Sequence, residues 1–220
     1  ILDLQMSILI ILYGMWTLIW EYRRLNTVAK LQSAEHRWNG ALMSSSWHQE
    51  LCQLSYHFRM HASELENGMK PEAILILERS LMNLHVSFED VQLFAGKEGE
   101  EEARRTYPLL KLWAETRESR QAVWHAGQVL KAATECHPKH LRDFPAIALY
   151  HASLAFWAYA VVSRSSNSAR MQQLSASRDK PIPLDDELVW LDGEDGPEMQ
   201  RFIAVGRGTP VIRDWTKTSD

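Results

Sequence analysis

The chain has 220 residues, 45% of them hydrophobic and 24% charged, with 24 Lys+Arg against 28 Asp+Glu for a formal charge of −4. That size and balance fit one sizeable domain, or a domain with a tail, and argue against wholesale disorder and a multi-span membrane protein. Two cysteines, Cys52 and Cys136, exclude a disulfide framework and a Cys-rich zinc module, so a reducing compartment is expected.

The sequence opens Ile-Leu-Asp without an initiating methionine, and a longer parent chain is therefore expected. Met6 to Trp20 is the longest uncharged apolar run. It falls short of the roughly twenty apolar residues a membrane span needs. It also lacks the basic stretch before and the small-residue cleavage site after that mark a secretory signal. A buried core helix is expected there, with no membrane partner.

Helical periodicity then dominates. Trp47, Leu51, Leu54, Phe58 and His61 recur every three or four residues and outline one helix face; Ile74, Leu77, Leu81, Leu84 and His85 outline a second. Ser87 with Asp90 three residues on resembles a capping box, predicting a short helix from Phe88 to Ala95 that Gly96 ends. Glu98 to Glu102 supplies acids suited to a helix N-terminus. Thr106 and Pro108 then predict the start of a long helix carrying Leu109, Leu112, Trp113, Val123, Trp124, Gly127 and Leu130 as far as Ala133. Asp143 and Pro145 open the next, whose face is Ile147, Tyr150, His151, Leu154, Trp157, Ala158 and Val161. No alternating strand pattern interrupts this and no heptad is sustained. The expectation is an all-α, irregular multi-helix bundle or array spanning 1–162.

From Ser163 to Lys180 the composition changes to six serines and three arginines with almost no large apolar residue, predicting a flexible loop over 163–187, with its excursion roughly 165–186. Order returns in an acidic segment, 188–220. Leu188-Val189-Trp190-Leu191 is an apolar patch, and Asp195-Gly196-Pro197 opens a short helix that Gly206 ends, with Met199, Phe202 and Ile203 on one face. Such a face is useful only packed against the body, so the segment is expected to dock back.

Charge follows the same division. Residues 1–180 hold 20 basic and 19 acidic groups, residues 181–220 hold 4 and 9. A body without basic excess is a poor nucleic-acid surface.

Residue constellations add no catalytic or metal site. His48, Cys52, His57 and His61 have the residue types of a zinc set, but at about 100° per residue His48 and Cys52 share one helix face while His57 and His61 lie roughly opposite. One ion cannot collect all four from a continuous helix. Asp185-Asp186-Glu187 is contiguous, without the four-residue recurrence of magnesium-binding carboxylates, and Asp192-Gly193-Glu194-Asp195 lacks the twelve-residue calcium pattern; both read as solvated turns. No nucleophile elbow, phosphate loop or dinucleotide fingerprint occurs. Among nine tryptophans, Trp113, Trp124 and Trp157 hold helical core positions, and an all-α ligand-binding protein or enzyme with a Trp-lined pocket is the alternative they leave open.

A resemblance sits on longer strings. Ser87-Phe-Glu-Asp-Val-Gln-Leu-Phe-Ala-Gly96 through Glu102-Ala-Arg-Arg-Thr-Tyr-Pro108, Arg120-Gln-Ala-Val-Trp-His-Ala-Gly-Gln-Val-Leu130, and Leu141-Arg-Asp-Phe144 through Tyr159 resemble the fungal-specific transcription factor regulatory domain. That region is also called the xylanolytic activator regulatory or middle homology region, and the likeness is to its branch attached to C2H2 zinc fingers. Leu191-Asp-Gly-Glu194 and Arg201 through Ile212 resemble the segment that follows it, and Leu4 through Trp16 resembles its early helix. The resemblance implies a nuclear, non-enzymatic regulatory region controlling RNA polymerase II transcription, through self-association, transcriptional co-regulators or a small-molecule effector. It implies DNA contact only through a zinc module outside this chain, with zinc as that module's cofactor and none in this segment.

Overall fold

The computed structural model describes residues 3–30, 37–64, 68–176 and 187–213. Among them the fold is an all-α array: α1 (Leu4–Lys30), α2 (Arg37–Ser63), α3 (Pro71–His85), α4 (Phe88–Phe94), α5 (Glu100–Ala114), α6 (Arg117–Glu135), α7 (Phe144–Ala176) and α8 (Pro197–Val205). A single parallel pair of short strands, β1 (Leu188–Trp190) and β2 (Thr209–Val211), flanks α8, with Leu188 opposite Thr209 and Trp190 opposite Val211.

The helix α3 is the axis of the array. Proline at its first position lacks the N–H that would be orphaned there anyway, and Leu75, Leu77, Leu81 and Met82 along it are wholly buried. It packs on α6, α7, α1 and α2. One core, with Leu12, Ile19, Leu51, Leu77 and Leu81, joins α1, α2 and α3. A second, with Leu75, Met82, Val91, Leu110, Ala126 and Ala152, runs through α3 to α7. The third seats the C-terminal segment on α6: Val123 and Trp124 meet Val189, Leu191, Met199, Phe202 and Ile203.

The docked segment approaches α6 very closely. A Cβ on Gly127 would stand 2.0 Å from the Leu191 carbonyl oxygen, so only glycine fits that crossing. Beside it, Gln128 Nε2 donates to the carbonyls of Leu191 and Gly193, each at 3.0 Å, and Arg120 Nε donates to the carbonyl of Ile203 at 2.9 Å. Gly206 ends α8 in the left-handed conformation, φ 71°, as expected of a glycine just past a helix.

Several expectations are corrected. The Ser87 cap on Asp90 N–H is present, but the long helix from Thr106 to Ala133 is two helices. The first begins at Glu100, six residues earlier, where three glutamates complement the helix dipole and Glu100 and Glu102 pair with Arg104 and Arg105. Pro108 lies inside it, and the buried Thr106 turns its hydroxyl onto the Glu102 carbonyl. The chain breaks at Glu115, and Thr116 caps α6 by accepting from Ser119 N–H at 3.3 Å.

Faces are corrected as well. Leu109 and Leu112 are exposed while Leu110 is buried. On α7 the buried stripe is Ala148, Ala152, Ala155, Ala158 and Val162, whereas Ile147, Tyr150, Trp157 and Val161 face outward. Small side chains allow α7 to approach Ala122, Ala126 and Ala133 of α6 closely, so the large residues are displaced from that contact. α7 also continues through Ser163 as far as Ala176, into the stretch expected to be a loop; residues 177–186 lie outside the described residues. Asp192 and Gly193 are buried, not in a solvated turn. Asp185 and Asp186 lie outside the described residues, and Glu187 pairs with Arg201 at 3.1 Å.

The run Met6–Trp20 lies within one helix, with Ile8, Leu12, Met15 and Ile19 in the core. Its other side exposes Met6, Ile10, Ile11, Leu18 and Trp20. By length and composition, Leu4–Val28 and Phe144–Arg164 are each long and apolar enough to cross a membrane.

Candidate functional site

A ladder of ionisable side chains crosses the interior where α2, α3 and α6 meet. Glu78 and His85 on α3 are separated by seven residues, as are Glu118 and His125 on α6, which places each pair on one helix face. Glu78 meets His125 and His85 meets Glu118. The order is reversed between the helices, so α3 and α6 run antiparallel and complementary groups face each other at both levels. Tyr56 and Arg59 from α2 complete the first level, and Cys52 and His48, one and two turns before Tyr56, reach the second.

The first level is closed. Glu78 and His125 have side chains only 2% and 1% exposed. His125 Nδ1 lies 2.7 Å from Glu78 Oε2, its Nε2 lies 3.0 Å from the Tyr56 hydroxyl, and Arg59 Nη1 stands 3.3 Å from the other Glu78 oxygen. Each buried polar atom has a partner, which is the condition under which such a network rigidifies a core. Burial pushes the Tyr56 hydroxyl above its ordinary range.

The second level is open. His85 is stacked on His125, ring centroids 5.7 Å apart and planes within 8°. Its Nδ1 is hydrogen-bonded to Glu118, while its Nε2 is buried with no hydrogen-bond partner among the described residues. Burial depresses His85 to about 4, so the ring is neutral near pH 7 and the contact with Glu118 is an N–H donated to a carboxylate. Burial alone would favour a neutral Glu118, but the His85 bond and neighbouring charges hold it below its usual range. With the proton on Nδ1, the His85 Nε2 lone pair points into the protein unused.

His48 and Cys52 stand beside the His85 ring, with the His48 and His85 ring centroids 5.7 Å apart. His48 Nε2 is 3.6 Å from Cys52 Sγ and 3.7 Å from Glu118 Oε2, and ligand atoms of His48, Cys52 and His85 all lie within 4.8 Å of one another. Burial lowers His48. It also raises the Cys52 thiol to about 11, with Glu118 adding to the rise and Arg23 opposing it. Arg23 from α1 donates through Nε to the Asn83 carbonyl at 2.6 Å and is the cation nearest in influence to this level.

Of the four residues weighed as a zinc set, the structure keeps His48 and Cys52 together and leaves His57 and His61 exposed on the far side of α2, as the helix geometry requires. The third histidine comes from α3. Glu78, Glu118, His125, Tyr56 and Arg59 were not singled out from the sequence, although the Glu-x6-His spacing of 78–85 and 118–125, which Glu50 and His57 share, could have marked the paired levels. The tryptophans do not share one environment: Trp124 is buried under the C-terminal segment, Trp113 donates to the His85 carbonyl, and Trp157 packs on Phe94. Cys136 is buried at the end of α6, away from the ladder.

Compared with models of known families, with curated proteins and with solved structures, the chain matches none.

Proposed function

We propose that this chain is the regulatory region of a fungal zinc-finger transcription factor, acting in the nucleus on RNA polymerase II transcription. DNA binding would be supplied by a zinc module elsewhere in the parent protein. The observation that carries the reading is the seating of the acidic C-terminal segment on α6, with Gly127, Gln128 and Arg120 gripping its backbone. Backbone carbonyls held by side-chain donors give a contact that a partner or effector can displace as a unit, exposing Val189, Leu191 and Phe202, which are buried against Val123 and Trp124. The sequence resemblance and the near-neutral body, which has no charge excess for phosphate contacts, support the same reading. Self-association belongs to it too, and the outward apolar residues of α1 and α7 are where it would bury surface.

The test is a fusion of residues 1–220 to an unrelated DNA-binding module over a reporter gene. Gly127→Val, which drives a side chain into Leu191, is expected to change reporter output several-fold relative to the parent fusion. The fragment alone should show no sequence-specific DNA binding. Nanomolar, sequence-specific binding by residues 1–220 would overturn the reading, and so would substrate turnover by the purified fragment.

A further inference from the structure

We propose that His48, Cys52 and His85 form a zinc-binding site in the helical body, with Glu118 as the carboxylate that orients His85. The site goes beyond the regulatory reading, which requires zinc only in a separate DNA-binding module.

Three observations carry it. Two ligands, His48 and Cys52, lie four residues apart on one face of α2, and the third reaches them from α3, so two rigid helices fix the set. With Zn–N near 2.0 Å and Zn–S near 2.3 Å, the N···S edge of a tetrahedral site is about 3.6 Å. The His48 Nε2 to Cys52 Sγ separation is 3.6 Å. The buried His85 Nε2 has no hydrogen-bond partner among the described residues, an arrangement that costs stability unless something takes the lone pair.

Glu118 supplies what metal-ligating histidines usually have, a carboxylate on the other ring nitrogen that fixes tautomer and orientation. The donor set of one thiolate and two imidazoles selects a zinc-like ion over magnesium or calcium, which take oxygen ligands. The thiolate and Glu118 together balance a dication, while Arg23 opposes it from the α1 side. Binding releases the Cys52 thiol proton to solvent. Three protein ligands leave a fourth position, and the half-exposed Glu118 and partly exposed His48 mark the way in from solvent.

Cobalt(II) titration of the metal-stripped, reduced 220-residue protein tests this. One equivalent should produce a thiolate-to-cobalt charge-transfer band, and one equivalent of zinc should bleach it. Cys52→Ser should abolish the band, and His48→Gln should weaken zinc binding at least tenfold. Both positions are only partly buried, and unchanged circular dichroism without metal would show that the fold is kept. Glu118→Gln should weaken binding by roughly 10-fold while preserving the band, as loss of an orienting partner does. A wild-type protein without the band would overturn the proposal. So would zinc affinity unaffected by Cys52→Ser and His48→Gln but lost in a His137→Ala/His140→Ala variant, which removes the neighbouring surface pair.

Discussion

The two levels of the ladder are built from the same parts and finished differently. Each has a histidine whose Nδ1 meets a carboxylate across the α3–α6 interface, and the two rings stack. In the inner level Tyr56 and Arg59 close the remaining bonds around His125 and Glu78. In the outer level the equivalent nitrogen of His85 is left bare, and its carboxylate is 45% exposed. A closed buried network specifies packing; an open one beside a thiol and a second imidazole has chemistry to spare. The difference lies in what α2 brings to each level: a phenol and a guanidinium at one, a thiol and an imidazole at the other.

The largest separation between the levels should come from His125→Leu. It strands Glu78, 2% exposed, with Arg59 as its remaining partner, and breaking a buried charge network of this kind costs about 3–5 kcal/mol in denaturant unfolding. Next is Gly127→Val, outside the ladder on the opposite side of α6. Forcing a side chain into the Leu191 backbone should cost about 1–3 kcal/mol, with hydrogen exchange rising over 188–211 while the ladder stays protected. His85→Leu in metal-free protein should move stability by only about 1 kcal/mol or less, in either direction. It loses one bond to a carboxylate that water can reach, and removes an unsatisfied nitrogen. Equal losses for His125→Leu and His85→Leu would erase the distinction between the levels.

The last effect is a pH slope. On the other side of α3, burial, with Arg79 nearby, depresses His151 to about 4, and the ring stacks on Phe88 with centroids 4.2 Å apart. An unfolded imidazole titrates near 6.5, so between these values the unfolded state binds the extra proton. Stability is therefore full above about pH 6.5 and falls as pH drops towards 4. His85 contributes with the same sign. His151→Asn should flatten the slope without removing it, as read by chemical unfolding at a series of pH values.

Most helices were legible because periodicity and caps are local: Ser87, Gly96, Pro197 and Gly206 each sit where the pattern puts them. Helix faces were less legible. On α7 the rule that large apolar residues point inward selected Ile147, Tyr150 and Trp157, while close packing against α6 placed an alanine stripe inside. The boundary at Thr116 was hidden because Pro108 is a stronger start signal than a threonine in a polar stretch. Half of the candidate site was visible, since four-residue spacing joins His48 and Cys52. The other half depends on which helices meet, and no local rule brings His85 and Glu118, 33 residues apart, to that face.

The parallel pairing of β1 and β2 has a consequence for how the C-terminal segment comes off. Parallel strands need a crossover, and here α8 supplies it, so Leu188 and Thr209 are joined through the chain and also across the sheet. The segment is thus a closed ring of backbone resting on α6, not a tail that can peel from its end. Losing the β2 strand removes the partner of β1, and losing α8 removes the apolar face that presses both onto Trp124. Amides at Leu191, Gly206 and Thr209, each bonded within this ring, should therefore exchange with one common opening free energy, as a single cooperative unit.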